Sequence, residues 1–265
     1  MTDADKEYFE GIARRIADAG GRMYLVGGAV RDMALKKKPH DMDFCVTGLS
    51  IEEFKEMFPH SRIQGKDFPV FIIHRCEFAL ARKERKIGEK HTDFEIQADK
   101  AITIEEDLAR RDLTINAMAI DFLTGELVDP YHGLEDLKSK VLRKTTQAYR
   151  EDPLRVYRTA RFAAKFGYDI EKSTLETMES MREELPNLSA ERVFAEFKKA
   201  LSTDHPGRFI EVLRKANVLD VHFPEIANLI GVEQPVLYHP EGDAYQHTLE
   251  VLDRVTKRTP DGVRY

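Results

Sequence analysis

The segment LVGGAVRDMALKKKPHDMDFCV, residues 25–46, admits few local folds. A short apolar run, MYLV at 23–26, meets Gly27-Gly28 and gives way to AVRDMAL, the order of a strand, a glycine turn and a helix. A further strand fits DFCV at 43–46, so this part of the chain is expected to be mixed α and β. The turn also suits an anion. Glycines let backbone N–H groups approach it closely, the helix they open directs its positive end to the same place, and Arg31 stands where it can clamp phosphate oxygens. Taken alone, GG-x-x-R is equally a tight turn with no ligand.

Asp41 and Asp43 break that tie. Two apart on a strand, they project to one side of one edge. Adjacent carboxylates repel unless a positive charge lies between them, and a hard divalent cation with oxygen ligands is the usual resolution. About ten residues after a phosphate-cradling turn, the pair describes a site for Mg²⁺ and a nucleoside triphosphate. A third carboxylate would help to deprotonate an attacking hydroxyl or complete a two-metal set. Glu77, at the start of EFALAR, is the candidate, brought beside the aspartates by a neighbouring antiparallel strand; its plain alternative is a strand-edge glutamate.

Elsewhere in the first half, helices fit 4–18 (Tyr8, Ile12 and Ile16 at helical spacing) and 50–58, and strands fit PVFII at 69–73 and FALAR at 78–82. The polar stretch KERKIGEKHTD, 83–93, is expected to be a mobile loop. In RRDLTINAMA, 110–119, Leu113, Ile115, Ala117 and Ala119 alternate as a buried strand would, which leaves Arg110-Arg111-Asp112 without a packing explanation. From about residue 134 the patterns are helical, over 151–167, 173–183, 189–202 and 205–216, with SAERVFAEF starting on a Ser/Glu capping box. The boundary is therefore expected between 125 and 150.

With 265 residues, 42% of them hydrophobic, about two domains are expected. No apolar run approaches the ~18 residues of a membrane span and MTDADKEYFE is unlike a signal peptide, so a soluble, cytoplasmic protein is expected. Cys45 and Cys76 exclude a disulfide framework, and neither has zinc-ligand spacing. A formal net charge of −6 argues against a globally basic nucleic-acid binder. It conceals a basic stretch, however: Arg143, Lys144, Arg150, Arg155, Arg158, Arg161 and Lys165 face only Glu151 and Asp152 across 143–165, which is where a polyanion is expected.

These segments, with RDLTINA, DPYHGLEDL, EDPLRVYRTARF, SAERVFAEF, FPEI and HPEGD followed by HT at 247–248, closely resemble the bacterial tRNA nucleotidyltransferases, the class II CCA-adding enzymes, whose branch also holds bacterial poly(A) polymerases. The resemblance runs from residue 23 to about 250. It implies an α+β chain: a nucleotidyltransferase (polymerase-beta-like) α/β head over 1–140, an all-helical neck over 141–230 that binds RNA and the base, and over 231–265 the start of a truncated HD-like or body region. It also implies that Gly27, Gly28 and Arg31 bind the triphosphate, that Asp41 and Asp43 bind Mg²⁺, and that Arg111 and Asp112 contact the nucleotide and its ribose. Asp152 and Arg155 would read the base, with Arg158 and Arg161 as further nucleotide contacts.

The base-reading role has a chemical rationale. Cytosine and adenine each present an amino donor beside a ring-nitrogen acceptor, whereas uracil and guanine present a carbonyl beside a ring N–H. A carboxylate only accepts and a guanidinium only donates, so an Asp with an Arg matches C and A and mismatches U and G. Asp152, Arg155, Arg158 and Arg161 are three apart, a row that drifts by about 60° per step around a helix. All four cannot face one base. Asp152 with Arg155 is the natural pair, and Arg158 and Arg161 suit phosphate, tRNA or structural ion pairs. The plain alternative is a solvated charged face, but the apolar residues around these charges leave no clean polar side.

Many relatives continue into an HD phosphohydrolase domain whose metal site needs a later His-Asp pair. Here His40-Asp41 is the only such pair and belongs to the first motif, while His247 lacks partners, so no phosphohydrolase activity and a shortened chain are expected. The expected activity is addition of C and A to the tRNA 3′ end from CTP and ATP, with pyrophosphate released. The alternatives are a poly(A) polymerase, a partial CC- or A-adding enzyme, or a non-catalytic RNA-binding module. The oligomeric state is left open.

Overall fold

MYLV lacks a polar side because its strand lies inside a sheet covered on both faces. In the computed structural model, which describes residues 3–39, 41–65, 68–86, 94–97, 99–235, 237, 239–240 and 242–256, the chain forms two compact units. One comprises Met1–Lys138 and Thr145–Glu151, the other Ser139–Lys144 and Asp152–Tyr265. The first opens with α1 (Asp3–Asp18), β1 (Arg22–Val26), α2 (Gly28–Ala34), β2 (Asp43–Thr47) and α3 (Ile51–Met57). It continues through β3 (Arg62–Gln64), β4 (Val70–Ile73), β5 (Cys76–Leu80), β6 (Lys83–Lys86) and β7 (Phe94–Gln97). It ends with α4 (Ile104–Ala109), β8 (Ala119–Asp121), β9 (Leu127–Val128) and α5 (Gly133–Ser139).

Seven strands make the main sheet in the order β3-β4-β5-β2-β1-β8-β9. Alternation along β2 sends Phe44 and Val46 to one face and Asp43 and Cys45 to the other. On the first face Phe44 stacks on Phe78 at 4.7 Å and meets Phe9 of α1 at 5.1 Å, and Phe54 of α3 meets Phe71 at 4.7 Å. On the other, Tyr24, Val26 and Cys45 pack with Ile104 and Leu108 of α4 and with Ala117 and Ala119. Burying side chains of this size stabilises by roughly 1.5–3 kcal/mol each, which fixes the register of the strands between the two layers.

Three expectations are corrected here. The segment 83–93 is in part ordered: β6 pairs antiparallel with β7, Lys83 opposite Gln97 and Lys86 opposite Phe94, while 87–93 lie outside the described residues. LTINAMA is not one strand. Thr114–Asn116 form a 3-10 turn and only Ala119–Asp121 is β, and every residue from Leu113 to Ala119 is buried, so the alternation of residue types had no exposed side to report. Glycine at 133 explains the nearby HGLEDL: a Cβ there would stand 2.3 Å from the Thr114 carbonyl oxygen, and Asp136 of α5 accepts from the Thr114 hydroxyl at 2.7 Å. Thus α5 braces the turn.

The second unit holds β10 (Val141–Leu142), α6 (Leu154–Phe166), β11 (Asp169–Ile170), α7 (Lys172–Ser180), α8 (Ala190–Leu201), α9 (Gly207–Lys215), α10 (Leu219–His222), α11 (Pro224–Ala227) and α12 (Ala244–Thr256). β10 and β11 form a short parallel pair, and α6 packs against both α8 and α9. The third correction concerns α8. Ser189 caps it by accepting from the Arg192 N–H, so the position a capping box needs is occupied by Arg192, not by a glutamate. True boxes close α3 (Ser50 with Glu53) and α4 (Thr103 with Glu106). His247 lies on α12 with its ring edge against His239, centroids 4.7 Å apart. Among the described residues no helix is long and apolar enough to cross a membrane.

Candidate active site

The glycine turn joins β1 to α2. Gly27 has φ 65° and ψ −123°, a conformation L side chains resist, and a Cβ there would lie 2.8 Å from Arg111 Nη1. A Cβ on Gly28 would lie 3.4 Å from Arg31 Nη2. The two glycines therefore let two guanidinium groups close on the backbone. Arg31, 5% exposed, donates from Nη1 to Asn116 Oδ1 at 2.5 Å and from Nη2 to Asp32 at 2.8 Å. Asn116 in turn donates to Asp112 Oδ1 at 3.1 Å, and the Leu113 N–H reaches the same oxygen at 2.8 Å. Asp112 thus orients Arg31 through Asn116, a relay the sequence reading did not contain.

Asp43 opens β2, and Glu77 stands directly beside it on β5 in register. The pairing is parallel, which corrects the antiparallel expectation. Both residues lie near the starts of their strands, and only parallel strands bring two starts together; an antiparallel pairing would have set Glu77 against the far end of β2. Asp41 sits in a bend ahead of β2, exposed and not on the strand, so its approach to Asp43 comes from the turn and not from strand alternation. Burial, followed by the charges of Glu77 and Asp41, pushes the Asp43 carboxyl up, and Arg111 opposes them.

A cavity of about 170 Å³ opens between these strands and α4, lined among others by Asp43, Cys45, Glu77, Asp107, Arg110 and Arg111. A larger one of about 430 Å³, between α1 and the ends of α3 and β4, holds none of the carboxylates named above. Asp107 organises the smaller cavity's basic wall. It is 1% exposed and accepts from Arg110 Nη2 at 2.7 Å, Arg110 Nε at 3.0 Å and Arg111 Nη2 at 3.2 Å. Burial alone would raise its carboxyl; the Arg110 and Arg111 charges outweigh this and hold it below the usual carboxylate range. The spacing E-E-D-L-A-R-R, with basic residues three and four after Asp107, carried the signal. Arg111 Nε is buried with no hydrogen-bond partner among the described residues, a donor aimed at no protein acceptor.

The donor chemistry fits a hard divalent cation: carboxylate oxygens on Asp41 and Asp43, Glu77 in register beside Asp43, and a carboxyl at Asp43 whose charge its neighbours oppose. Among the described residues no three His, Cys, Asp or Glu side chains cluster closely enough to hold a metal ion.

The base-reading candidates belong to the second unit. Asp152 precedes α6 and is not on it; its Oδ1 accepts from the Leu154 N–H at 3.1 Å, and Arg192 Nη2 lies 3.6 Å away. Arg155, on the first turn of α6, is 8% exposed, and its N–H donates to the Asp152 carbonyl at 3.0 Å. Arg161 donates to Glu196, a 4% exposed carboxylate of α8, at 2.5 Å and lies 4.3 Å over Phe162, with Arg158 at 5.9 Å from the same ring. Part of the basic stretch is likewise bound within the unit, since Arg143 pairs with Glu171 and Lys144 with Ser173.

Residues 23–143 match the poly A polymerase head domain, and 167–230 match a domain described as a probable RNA and SrmB-binding site of polymerase A. A multifunctional CCA protein of Shewanella frigidimarina is 47% identical over 242 residues, 89% of this chain and 58% of that protein. The chain thus spans somewhat over half the length of this relative. Among solved structures, the Bacillus stearothermophilus CCA-adding enzyme in complex with CTP aligns with TM-score 0.71 at 25% identity, covering 88% of this chain and 59% of that one. The Thermotoga maritima CCA-adding enzyme complexed with tRNA-CCA aligns with TM-score 0.67 at 27% identity, covering 85% and 54%. With both domains in this order and the glycine turn, paired aspartates and arginine wall in one unit, the chain belongs to the family of bacterial tRNA nucleotidyltransferases and poly(A) polymerases.

Proposed function

We propose that this protein is a template-independent tRNA nucleotidyltransferase that adds C and A to the 3′ end of tRNA from CTP and ATP and releases pyrophosphate. One observation carries the reading: the Asp43 and Glu77 carboxylates, in register, share a cavity with Arg111, whose guanidinium also flanks Gly27 and keeps an unpartnered buried N–H. Carboxylates for the nucleophile's side and donors for a triphosphate lie at one strand edge.

In this reading Gly27, Gly28, Arg31 and Arg111 bind the triphosphate, and Asp112 meets the ribose while holding Asn116. Asp41 and Asp43 would hold Mg²⁺, which when bound would supply positive charge to the attacking hydroxyl and to the pyrophosphate that leaves. Glu77 tunes the charge at Asp43 and stands ready to accept the proton of the attacking 3′-hydroxyl. Asp107 acts through Arg110 and Arg111 as a positioning residue. Asp152 and Arg155 read the base edge by accepting from the amino group and donating to the ring nitrogen. Arg158 meets the nucleotide's outer edge, and Arg161, tied to Glu196, contributes chiefly by holding α6 in place. The cytoplasm is its place of work.

Incubation with tRNA ending before CCA, and with labelled CTP and ATP separately and then together, tests this directly. Sequenced products ending in CCA support it, whereas long A tracts indicate a poly(A) polymerase and products ending at CC a partial enzyme. No Mg²⁺-dependent incorporation, with tRNA still bound, leaves the RNA-binding module. Asp41→Asn and Asp43→Asn are each expected to abolish incorporation with thermal stability held or raised, because a repulsion is relieved and no core contact is lost. Robust activity of either variant in Mg²⁺ removes the metal assignment.

A further inference from the structure

We propose that Lys36, Lys37 and Lys38 form a contact for RNA phosphates that draws the 3′-terminal strand of the tRNA toward Asp41 and Asp43; this rests on the tRNA reading above.

The three lysines follow α2 and are all exposed, and among the described residues none has an ion-pair partner. They line none of the arginine-walled cavity and are not among the residues given to the triphosphate above. Chain length alone keeps Lys36 within about 18 Å of Asp41, at most 3.6 Å per residue over five residues. That is the span of a few nucleotides. The substrate that must reach the carboxylates besides a nucleotide is a polyanion, and the chain as a whole, at −6, repels one. Local positive charge beside the carboxylates answers that problem.

The backbone supplies the second observation. The Lys36 N–H donates to the Met33 carbonyl at 2.9 Å and the Lys37 N–H to the Asp32 carbonyl at 2.8 Å, the double hydrogen bond that ends a helix through a left-handed residue. That residue is Lys36, at φ 56°, a position glycine occupies without hindrance. Lys140 at φ 57° and Asn217 at φ 53° hold the same left-handed conformation elsewhere in the chain, so at 36 the conformation itself calls for no lysine. Its charge is what the lysine adds.

Binding of a tRNA transcript that ends before CCA, followed by anisotropy from 50 to 200 mM KCl, tests the contact. Each phosphate contact contributes about 0.7–0.9 to the slope of log affinity against log salt. The combined Lys36→Ser, Lys37→Ser and Lys38→Ser variant is expected to lose about 2 from that slope and to raise the KM for tRNA while the KM for CTP holds. Lys36→Gly separates charge from fold: its slope falls by about 0.7–0.9 while its melting temperature holds or rises. An unchanged slope in the triple variant, with the unaltered protein binding tRNA, overturns the contact and leaves the tRNA reading intact. A Lys36→Gly variant that melts earlier, with an unchanged slope, assigns the lysine to the fold and also overturns it. Failure of the unaltered protein to bind tRNA removes the tRNA reading and this contact together.

Discussion

Asp107 concentrates the energetic risk of the site in one carboxylate. Removing its charge would leave two guanidinium groups against a nearly closed wall, and breaking a buried pair typically destabilises by about 3–5 kcal/mol. Asp107→Asn is expected to lose stability of that order at pH 7 in urea titration, and to raise the KM for CTP more than it lowers kcat, because Arg111 would lose its orientation. The sign with pH follows from the carboxyl's direction of shift. A group held below its ordinary 3.8 stabilises above that value and ceases to do so as pH falls through its folded value, so the gap between variant and parent should narrow below about pH 4. A gap that is equal at pH 7 and pH 3 would show packing, not charge. Arg31, Asp43 and Arg111 were legible as residues because their types state their chemistry. Asp107 and Asn116 were not: the arginines three and four after Asp107 are a signal only once 104–109 is known to be a helix, and Asn116 meets Arg31 only where the 3-10 turn brings them together.

Among the elements, the strand and helix at 22–34 were legible because apolar runs bounded by glycines leave little choice. Strand direction was not. The stretch between β2 and β5 contains α3, β3 and β4, and nothing in local composition says whether β5 runs with or against β2, although the answer decides whether Glu77 meets Asp43. Helix α4 was missed despite Thr103 and Glu106, the box that starts it, because it has only 6 residues and no full amphipathic period. Helix α7 offers a measurable cap. Glu171 accepts from the Thr174 N–H at 2.8 Å, the Thr174 hydroxyl at 2.9 Å and the Ser173 hydroxyl at 2.9 Å. Burial would raise its carboxyl, and these bonds bring it down to about 2. The stabilisation is therefore complete above about pH 4.5 and disappears between that value and about 2. Glu171→Gln should lower stability by roughly 1–2 kcal/mol at pH 7. The difference should close at pH 2 in acid-denaturation curves; a difference that persists there would contradict the cap.

At the scale of the whole molecule, the proposed activity requires one protein to choose two bases in sequence. In the proposed reading, what C and A share is read by the Asp152 carboxylate and the Arg155 guanidinium, so Arg155→Ala is expected to raise UTP and GTP incorporation relative to CTP and ATP in competition assays, with a melting curve to separate loss of fold from loss of choice. Unchanged discrimination in a folded variant removes Arg155 from base reading. The difference between C and A is one of size, and a pocket fitted to a pyrimidine must be remodelled for a purine. Rigid strands packed on both faces resist such change. β6 and β7 pair with each other and not with the seven-stranded sheet, and Lys83 at the start of β6 is ion-paired to Glu106 of α4, so the segment beyond Lys83 is a part of the head that can be altered with little effect on the sheet. Replacing 84–91 with a short Gly/Ser linker is expected to spare addition of CC and to slow addition of the terminal A, measured on tRNA ending in CC against tRNA ending before it. Equal loss of both steps would assign the segment to the fold or to tRNA binding, and no loss would make it a passive connection.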